Sequence, residues 1–167
     1  VVYTGTASKS LAPGLRLGWL ALPSALLDPV VALKDLTDRQ TSAVEQLALG
    51  ELVSSGALDR HIRRSRLRYR RRRDELVRRL ATVPAVAPRG IAAGLHAVLD
   101  LPAGGPAEAD VVAHLAERGV AVHALGRYWH RPGRRRRGLV VGYATPPAHA
   151  YPAAVAALTA GLADLYA

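Results

Sequence analysis

Short apolar segments of strand character alternate along the chain with segments of helical periodicity, and this alternation predicts an α/β fold. No internal repeat interrupts the pattern. The predicted strands are Val1–Tyr3, Leu15–Leu22, Leu95–Leu101, Val120–Val122 and Gly138–Tyr143. The predicted helices are 24–33, 43–53, 58–80, 110–118 and 148–166.

Two of these segments carry more detailed expectations. Leu15–Leu22 becomes continuously apolar, which is typical of a strand buried on most of its surface, and Ser24 after it is a suitable N-cap for a helix. The helix over 58–80 has a narrow apolar stripe, and the rest of its surface is basic. The stripe consists of Leu58, Ile62, Tyr69, Leu76 and Leu80.

The positive charge is concentrated in two places. The chain has 167 residues and a net charge of +10, yet residues 60–79 alone hold eleven arginines and residues 131–137 hold five more. Outside these clusters the chain is slightly acidic. Arginines at this density can bind nucleic-acid phosphates, although a helix with a solvated basic face and a solvated loop explain them as well.

Several classes of protein are disfavoured by composition. Cysteine is absent, which removes disulfides, thiolate nucleophiles and cysteine-based metal sites. The histidines lack the spacing of a metal site, so no metal is expected. No apolar run is long enough to predict a membrane span, and the N-terminus lacks the features of a signal peptide, so the expected location is the cytoplasm.

Lys9 is one of two lysines, and it has polar neighbours that suit a phosphorylated aldehyde. A lysine amine condenses with an aldehyde cofactor when its charge is suppressed. A phosphate beside it needs hydroxyl donors and a permanent cation. Thr6, Ser8 and Arg16 supply these groups, although an ordinary polar turn accounts for the same residues.

The longer segment Gly5–Gly18, GTASKSLAPGLRLG, resembles the lysine segment of fold-type I aminotransferases that use pyridoxal phosphate. It is most similar to the MocR subgroup of GntR-type transcription regulators. His61–Arg64, Tyr69 and Arg72–Asp74 resemble a helix of the subgroup's small domain. Two later segments, Ala93–His96 and Val141–Ala144, resemble its strands.

The resemblance implies that Lys9 forms the internal aldimine with pyridoxal phosphate, and that Thr6, Ser8 and Arg16 bind the cofactor phosphate. It implies an amine or amino-acid ligand and a homodimer. Residues 1–58 are then the end of the cofactor-binding large domain and residues 59–167 the small C-terminal domain. The rest of the large domain and a winged-helix DNA-binding domain are expected upstream, so the chain alone is expected to be inactive.

One departure bears on function. The family places a carboxylate-binding arginine three residues before the aromatic residue that Tyr143 matches, and here that position is Val140. Arg137 is the nearest arginine in sequence. This difference argues against amino-acid turnover and is compatible with an effector-sensing regulator. The aminotransferase remains the first alternative, and a cofactor-free basic module that binds nucleic acid is the second.

Overall fold

The computed structural model describes residues 1–90, 94–131, 133 and 135–166. Its backbone divides into two compact units, unit 1 (Val1–Arg64) and unit 2 (Ser65–Ala167). The sequence-based boundary after residue 58 stays a prediction. Two residues of the predicted motifs, Ala93 and Arg134, lie outside the described residues.

Unit 1 contains a two-stranded sheet and two helices. Strands β1 (Tyr3–Thr6) and β2 (Gly18–Ala21) pair antiparallel, and Gly5 lies opposite Trp19. Helix α1 spans Ser24–Asp38 and helix α2 spans Ala43–Ser54.

The predicted burial of the segment Leu15–Leu22 is correct at Leu17 but wrong along β2. Residues Pro13–Leu15 form a short 3-10 helix, and every residue of β2 is exposed because β1 is its one strand partner among the described residues. The N-cap prediction at Ser24 is also wrong. Ser24 is already inside α1, the preceding residue is Pro23, and no side chain caps the helix.

Helix α3 (Ala57–Leu80) carries the arginine cluster, and the unit boundary falls within it. The predicted apolar stripe is correct at Leu76 and Leu80, which are buried. The same face also buries the polar residues Ser65 and Arg72. Most other arginines of the helix, Arg71 among them, are exposed, as a solvated basic face requires.

Unit 2 has a four-stranded antiparallel sheet in the order β3-β4-β6-β5. Strands β4 and β6 pair over five residues, while β5 pairs with β6 at two positions, His123 with Val140 and Ala124 with Leu139. The strands are β3 (Ala87–Arg89), β4 (His96–Asp100), β5 (His123–Ala124) and β6 (Gly138–Gly142). Two further helices are α4 (Glu108–Glu117) and α5 (Tyr151–Tyr166).

Two strand predictions in unit 2 need correction. The predicted strand Val120–Val122 is not formed, because pairing with β6 begins only at His123. Strand β3 was not predicted, because Pro88 stands in its middle and proline cannot donate to a strand ladder. Pro88 is tolerated because β3 is at the edge of the sheet.

The hydrophobic core lies in unit 2, where α3, α4 and α5 pack on one face of the sheet. Alternate residues of the strands point to opposite faces, which places Leu99, Leu139 and Val141 on the core side. The helices contribute buried leucine and valine side chains: Leu76, Leu80, Val111, Leu115, Val155, Leu158 and Leu162.

Unit 1 buries far less apolar surface. Its buried apolar side chains are Ala7 and Leu17, and neither α1 nor α2 has a buried residue. Large hydrophobic side chains are instead exposed along both helices: Leu26, Leu27, Val31, Leu33, Leu36, Val44, Leu47 and Val53. In the 167-residue chain, tertiary packing therefore supports unit 2 much more strongly than unit 1.

This contrast predicts uneven hydrogen exchange. Because local opening is cheapest where few apolar contacts must be broken, amides of α1 should exchange at least about a hundredfold faster than amides of α5. Hydrogen–deuterium exchange with peptide mass analysis of the 167-residue chain measures both. The reverse order, or equal rates in the two helices, would contradict the contrast between the two units.

Ionisation of Tyr151 is expected to lower the stability of unit 2 at alkaline pH. Burial raises the pKa of Tyr151 to about 12, which the nearby Arg72 partly opposes. Between pH 10 and 12 the unfolded tyrosine ionises while the folded one stays neutral, so the free energy of unfolding should fall by about 1 kcal/mol per pH unit. Below pH 10 this contribution is fully present.

Denaturant unfolding at several alkaline pH values tests this expectation. Tyr151→Phe should be less stable at neutral pH, because it loses a buried hydrogen bond, but its stability should fall less steeply above pH 10. Tyr128→Phe is the matched control, since Tyr128 is 57% exposed. Equal slopes for Tyr151→Phe and the unmodified chain would show that Tyr151 is not the titrating group.

Candidate functional site

Lys9 lies in the loop between β1 and β2, and this loop is closed by backbone hydrogen bonds. The Ala7 amide donates to the Leu17 carbonyl (3.0 Å), and the Leu11 amide donates to the Ala7 carbonyl (2.8 Å). Ala7 and Leu17 are the buried apolar residues of unit 1. The loop is thus fixed at its base, and Lys9 is exposed on the turn above it.

Thr6 and Ser8 are brought together by the same turn. Their side-chain oxygens are 3.0 Å apart, and the Ser8 amide donates to Thr6 Oγ1 (3.2 Å). Thr6 Oγ1 also lies within donating distance of the Leu17 carbonyl (3.1 Å). A hydroxyl has one proton, so Thr6 donates either to Ser8 Oγ or to the Leu17 carbonyl, and when it donates to Ser8 the Ser8 hydroxyl keeps its own proton for another acceptor.

Arg16 returns the chain towards β2 in an unusual conformation. Its φ and ψ are 51° and 23°, in the left-handed region that few residues other than glycine adopt. The Arg16 guanidinium and the Lys9 amine are exposed, and neither makes a hydrogen bond or ion pair with the described residues. The structure therefore joins Thr6 to Ser8 directly, and leaves both cations available to a ligand.

The chemistry of this loop suits a phosphorylated cofactor. Residues 6–16 offer three hydroxyls, a guanidinium and an amine, and they include no acidic residue that would repel a phosphate. Arginine and hydroxyl groups are strong donors to phosphate oxygens. The residues present therefore fit pyridoxal phosphate, with the amine of Lys9 as the group that would hold its aldehyde.

Gly5 sets the close approach of β1 and β2 beneath the loop. A Cβ atom built on Gly5 would lie 2.2 Å from the Trp19 indole, which packs directly across the Gly5 backbone. A side chain at position 5 would therefore displace Trp19, and Gly5 is needed for this packing.

In unit 2, Arg137 does not replace the arginine that is missing at position 140. Its guanidinium donates to the carbonyls of Pro102, Ala103 and Gly105 at 2.8–3.3 Å, and also to the carbonyl of Pro106. These contacts hold the segment before α4 against the start of β6. An arginine whose donors are already used in this way is not free to bind a substrate carboxylate.

A cavity of about 480 Å³ in unit 2 was not found from the sequence. It borders Val140 and the two histidines His96 and His123, which come from three different strands. The pairing register of the strands brings these three residues together. The sequence placed the strand at 120–122 and so did not predict the observed register.

Two further findings concern the described residues. They contain no cluster of three or more histidine, aspartate or glutamate residues that could hold a metal ion. A search of the same residues finds no helix long and apolar enough to cross a membrane.

The chain belongs to the aminotransferase class I and II family, whose model matches residues 1–137. The predicted fold class and the resemblance to aminotransferase-like regulators are thereby confirmed, and the cofactor-free module loses its support. The chain is 35% identical over 144 residues to the HTH-type pyridoxine biosynthesis transcriptional regulator of Corynebacterium glutamicum, covering 85% of this chain and 30% of that protein.

Other relatives give the same picture. The HTH-type transcriptional regulator TauR of Rhodobacter capsulatus is 32% identical over 138 residues, which cover 82% of this chain and 28% of that protein. Among solved structures, the multiple substrate aminotransferase from Thermococcus profundus matches with a TM-score of 0.82 and 26% identity, over 98% of this chain and 41% of that one. The chain spans about a third of the length of these curated relatives.

The packing of Gly5 yields a prediction about the loop. Gly5→Ala should displace the Trp19 indole and disturb the anchoring of the Lys9 loop, with a shift in the tryptophan fluorescence of unit 1. Gly14→Ala is the matched control in the same loop, because a Cβ atom there meets nothing within 4 Å. Emission spectra in a Trp129→Phe background report Trp19 alone. Identical spectra for Gly5→Ala and Gly14→Ala would show that Trp19 does not pack on Gly5.

Proposed function

We propose that the chain is the pyridoxal-phosphate-binding, effector-sensing part of a transcription regulator. The observation that carries this proposal is the Lys9 loop, which combines an exposed amine with paired hydroxyls in a chain of the aminotransferase family. The curated relatives support the regulatory assignment, since those with the broadest coverage bear the names of HTH-type transcriptional regulators.

Each residue of the loop has a proposed task. Lys9 Nζ holds the cofactor covalently, while Ser8, Thr6 and Arg16 donate hydrogen bonds to the phosphate. Thr6 can do so only by sharing the proton that it otherwise directs to the Leu17 carbonyl, so Ser8 and Arg16 are the stronger donors. Pyridoxal phosphate supplies, when bound, an aldehyde carbon that reacts with primary amines, and the proposed effector is therefore an amine or an amino acid.

The assembly of the complete protein follows from the same class of relatives. We propose that it is a cytoplasmic homodimer that reaches DNA through a winged-helix domain upstream of these residues. The printed names of the regulators support a helix-turn-helix domain in those proteins. On this proposal the upstream domain binds DNA, so the arginines of α3 need no such role. Most of them lie on the solvent-exposed face of the helix.

An aminotransferase is the second candidate, and the solved relatives favour it. The α-aminoadipate aminotransferase LysN from Thermus thermophilus, described as complexed with N-(5'-phosphopyridoxyl)-L-leucine, matches with a TM-score of 0.80 and 25% identity. In such an enzyme Lys9 Nζ would move the proton at the substrate Cα. Val140 and Arg137 weigh against it, because valine has no donor and the terminal nitrogens of Arg137 already donate to backbone carbonyls.

The assignment of Lys9 can be tested in the complete, cofactor-loaded protein. Borohydride reduction followed by peptide mass mapping should place the label on Lys9, and Lys9→Ala should abolish it. Lys34→Ala is the matched control, since Lys34 ion-pairs with Asp38 on α1 (2.8 Å). A label on Lys34 alone would refute the assignment.

The phosphate site is tested by comparing two arginines. Arg16→Ala should weaken cofactor binding at least tenfold, because a charge-assisted hydrogen bond contributes roughly 1.5–3 kcal/mol. Arg71→Ala should leave binding unchanged, as Arg71 is exposed on α3. Cofactor titration followed by absorbance measures both affinities, and equal losses would show that the phosphate lies elsewhere.

A further inference from the structure

The loop between β5 and β6 is anchored at both ends by one carboxylate. Glu108, at the start of α4, accepts a hydrogen bond from the Gly126 amide (3.0 Å) and another from the Gly138 amide (2.6 Å). Hydrogen bonds to an ionised acceptor are stronger than those between neutral groups. Pro132 and Arg134, also in this loop, lie outside the described residues. The two ends of the loop are therefore held together on unit 2.

An aromatic ring and a guanidinium are stacked on this loop. The guanidinium carbon of Arg135 lies 5.4 Å from the centroid of the Trp129 ring, which is within the range of a cation–π contact. Trp129 is nevertheless 43% exposed. The folded loop thus presents a large aromatic surface and a positive charge side by side.

Both side chains line a pocket of about 370 Å³, here called the Trp129 pocket. Its volume lies within the range of ligand pockets, roughly 300–1,000 Å³. Glu108 also lines the pocket, but its carboxylate already accepts two backbone hydrogen bonds. Arginines outnumber this glutamate in the described lining: Arg131, Arg135, Arg136 and Arg137. The excess of positive charge favours an anionic ligand.

The four arginines of the pocket differ in the partners they already have. Arg137 donates to backbone carbonyls, and Arg136 lies 3.9 Å from the Asp100 carboxylate. Arg131 and Arg135 make no hydrogen bond or ion pair with the described residues. Guanidinium groups bind phosphate oxygens through two parallel hydrogen bonds. Two such groups beside an exposed ring fit a ligand that carries both a phosphate and a planar ring.

We propose that the Trp129 pocket binds a nucleotide, with the base in contact with the Trp129 ring and the phosphates bound by Arg131 and Arg135. Every base has a flat face that can stack on an aromatic side chain, so no particular base is assigned. A single nucleotide is favoured over single-stranded nucleic acid because the pocket offers one ring. Tyr128, which is 57% exposed, does not line it. The inference goes beyond the proposed function, concerns unit 2 alone, and does not depend on the role of Lys9.

Titration of the full chain with three matched probes tests the ligand class. ATP carries a ring and phosphates, adenosine carries the ring without phosphates, and tripolyphosphate carries phosphates without the ring. Fluorescence of a Trp19→Phe variant reports Trp129 alone. We expect ATP to quench Trp129 and to bind at least about tenfold more tightly than adenosine or tripolyphosphate. Equal affinities of ATP and tripolyphosphate, or no binding of ATP, would overturn the proposal.

Variants test the task of each residue, with affinities measured by isothermal titration calorimetry. Trp129→Leu should weaken ATP binding at least about fivefold, because stacking is lost, and leave tripolyphosphate binding unchanged. Arg135→Gln should weaken binding of both probes, and Arg135→Lys, which keeps the charge, should restore part of the loss. Both positions are exposed, so the variants should keep the fold of unit 2.

The matched control is Arg71→Gln, which removes an exposed arginine outside the pocket. It should leave ATP binding unchanged. Equal losses in Arg71→Gln and Arg135→Gln would show that ATP is attracted by net charge alone, and would refute the site.

Two measurements separate this inference from neighbouring explanations. Arg16→Ala should bind ATP as the unmodified chain does, and a loss of binding there would place the nucleotide at the Lys9 loop and contradict a pocket in unit 2. The cofactor label on Lys9 tests the proposed function separately. A single-stranded oligoadenylate that binds more tightly than ATP, and loses that affinity in Trp129→Leu, would overturn the nucleotide in favour of nucleic acid.

Discussion

The buried guanidinium of Arg72 holds together the three elements around which unit 2 is built. One of its terminal nitrogens donates to the Ala144 carbonyl (2.8 Å) and to the Tyr143 carbonyl (3.4 Å), just after β6, and the guanidinium stacks on the Tyr151 ring at the start of α5. Tyr151 donates back to the Arg72 carbonyl (2.5 Å). A buried charge is tolerable only when it is hydrogen-bonded, and here backbone carbonyls satisfy it without a buried carboxylate.

The contacts of Arg72 with the end of β6 and with Tyr151 bear on the cavity as well as on the core. Tyr143 is fixed at its hydroxyl, which donates to the Gly94 carbonyl (2.6 Å), and burial raises the pKa of Tyr143 so that it remains a donor. With Tyr143 and Tyr151 both held in place, β6 cannot shift towards residues 119–122 to close the gap beside Gly142. Val141, Tyr143 and Tyr151 thus belong to the buried core of unit 2 and also to the wall of the cavity.

The sequence predicted what depends on local pattern and missed what depends on pairing. The helices, the strands β4 and β6 and the Lys9 motif were all predicted, because periodicity and a specific string encode them. The exposure of β2 depends on what surrounds the strand, since an apolar strand is buried only where other elements cover it. The start of β5 at His123 is set by tertiary register, because the preceding residues 120–122 are also apolar but do not pair with β6. The cavity depends on this register and therefore could not be predicted either.

Arginine content by itself says little about what unit 2 binds, because the arginines perform different tasks. What distinguishes them is whether a carbonyl or carboxylate of the chain already accepts their hydrogen bonds. Arg72 and Arg137 are satisfied by backbone carbonyls, and Arg78 and Arg79 donate to Glu75 and lower the pKa of that carboxyl. Arg127 instead contacts only an imidazole among the described residues, and His123 is the cross-strand neighbour of Val140.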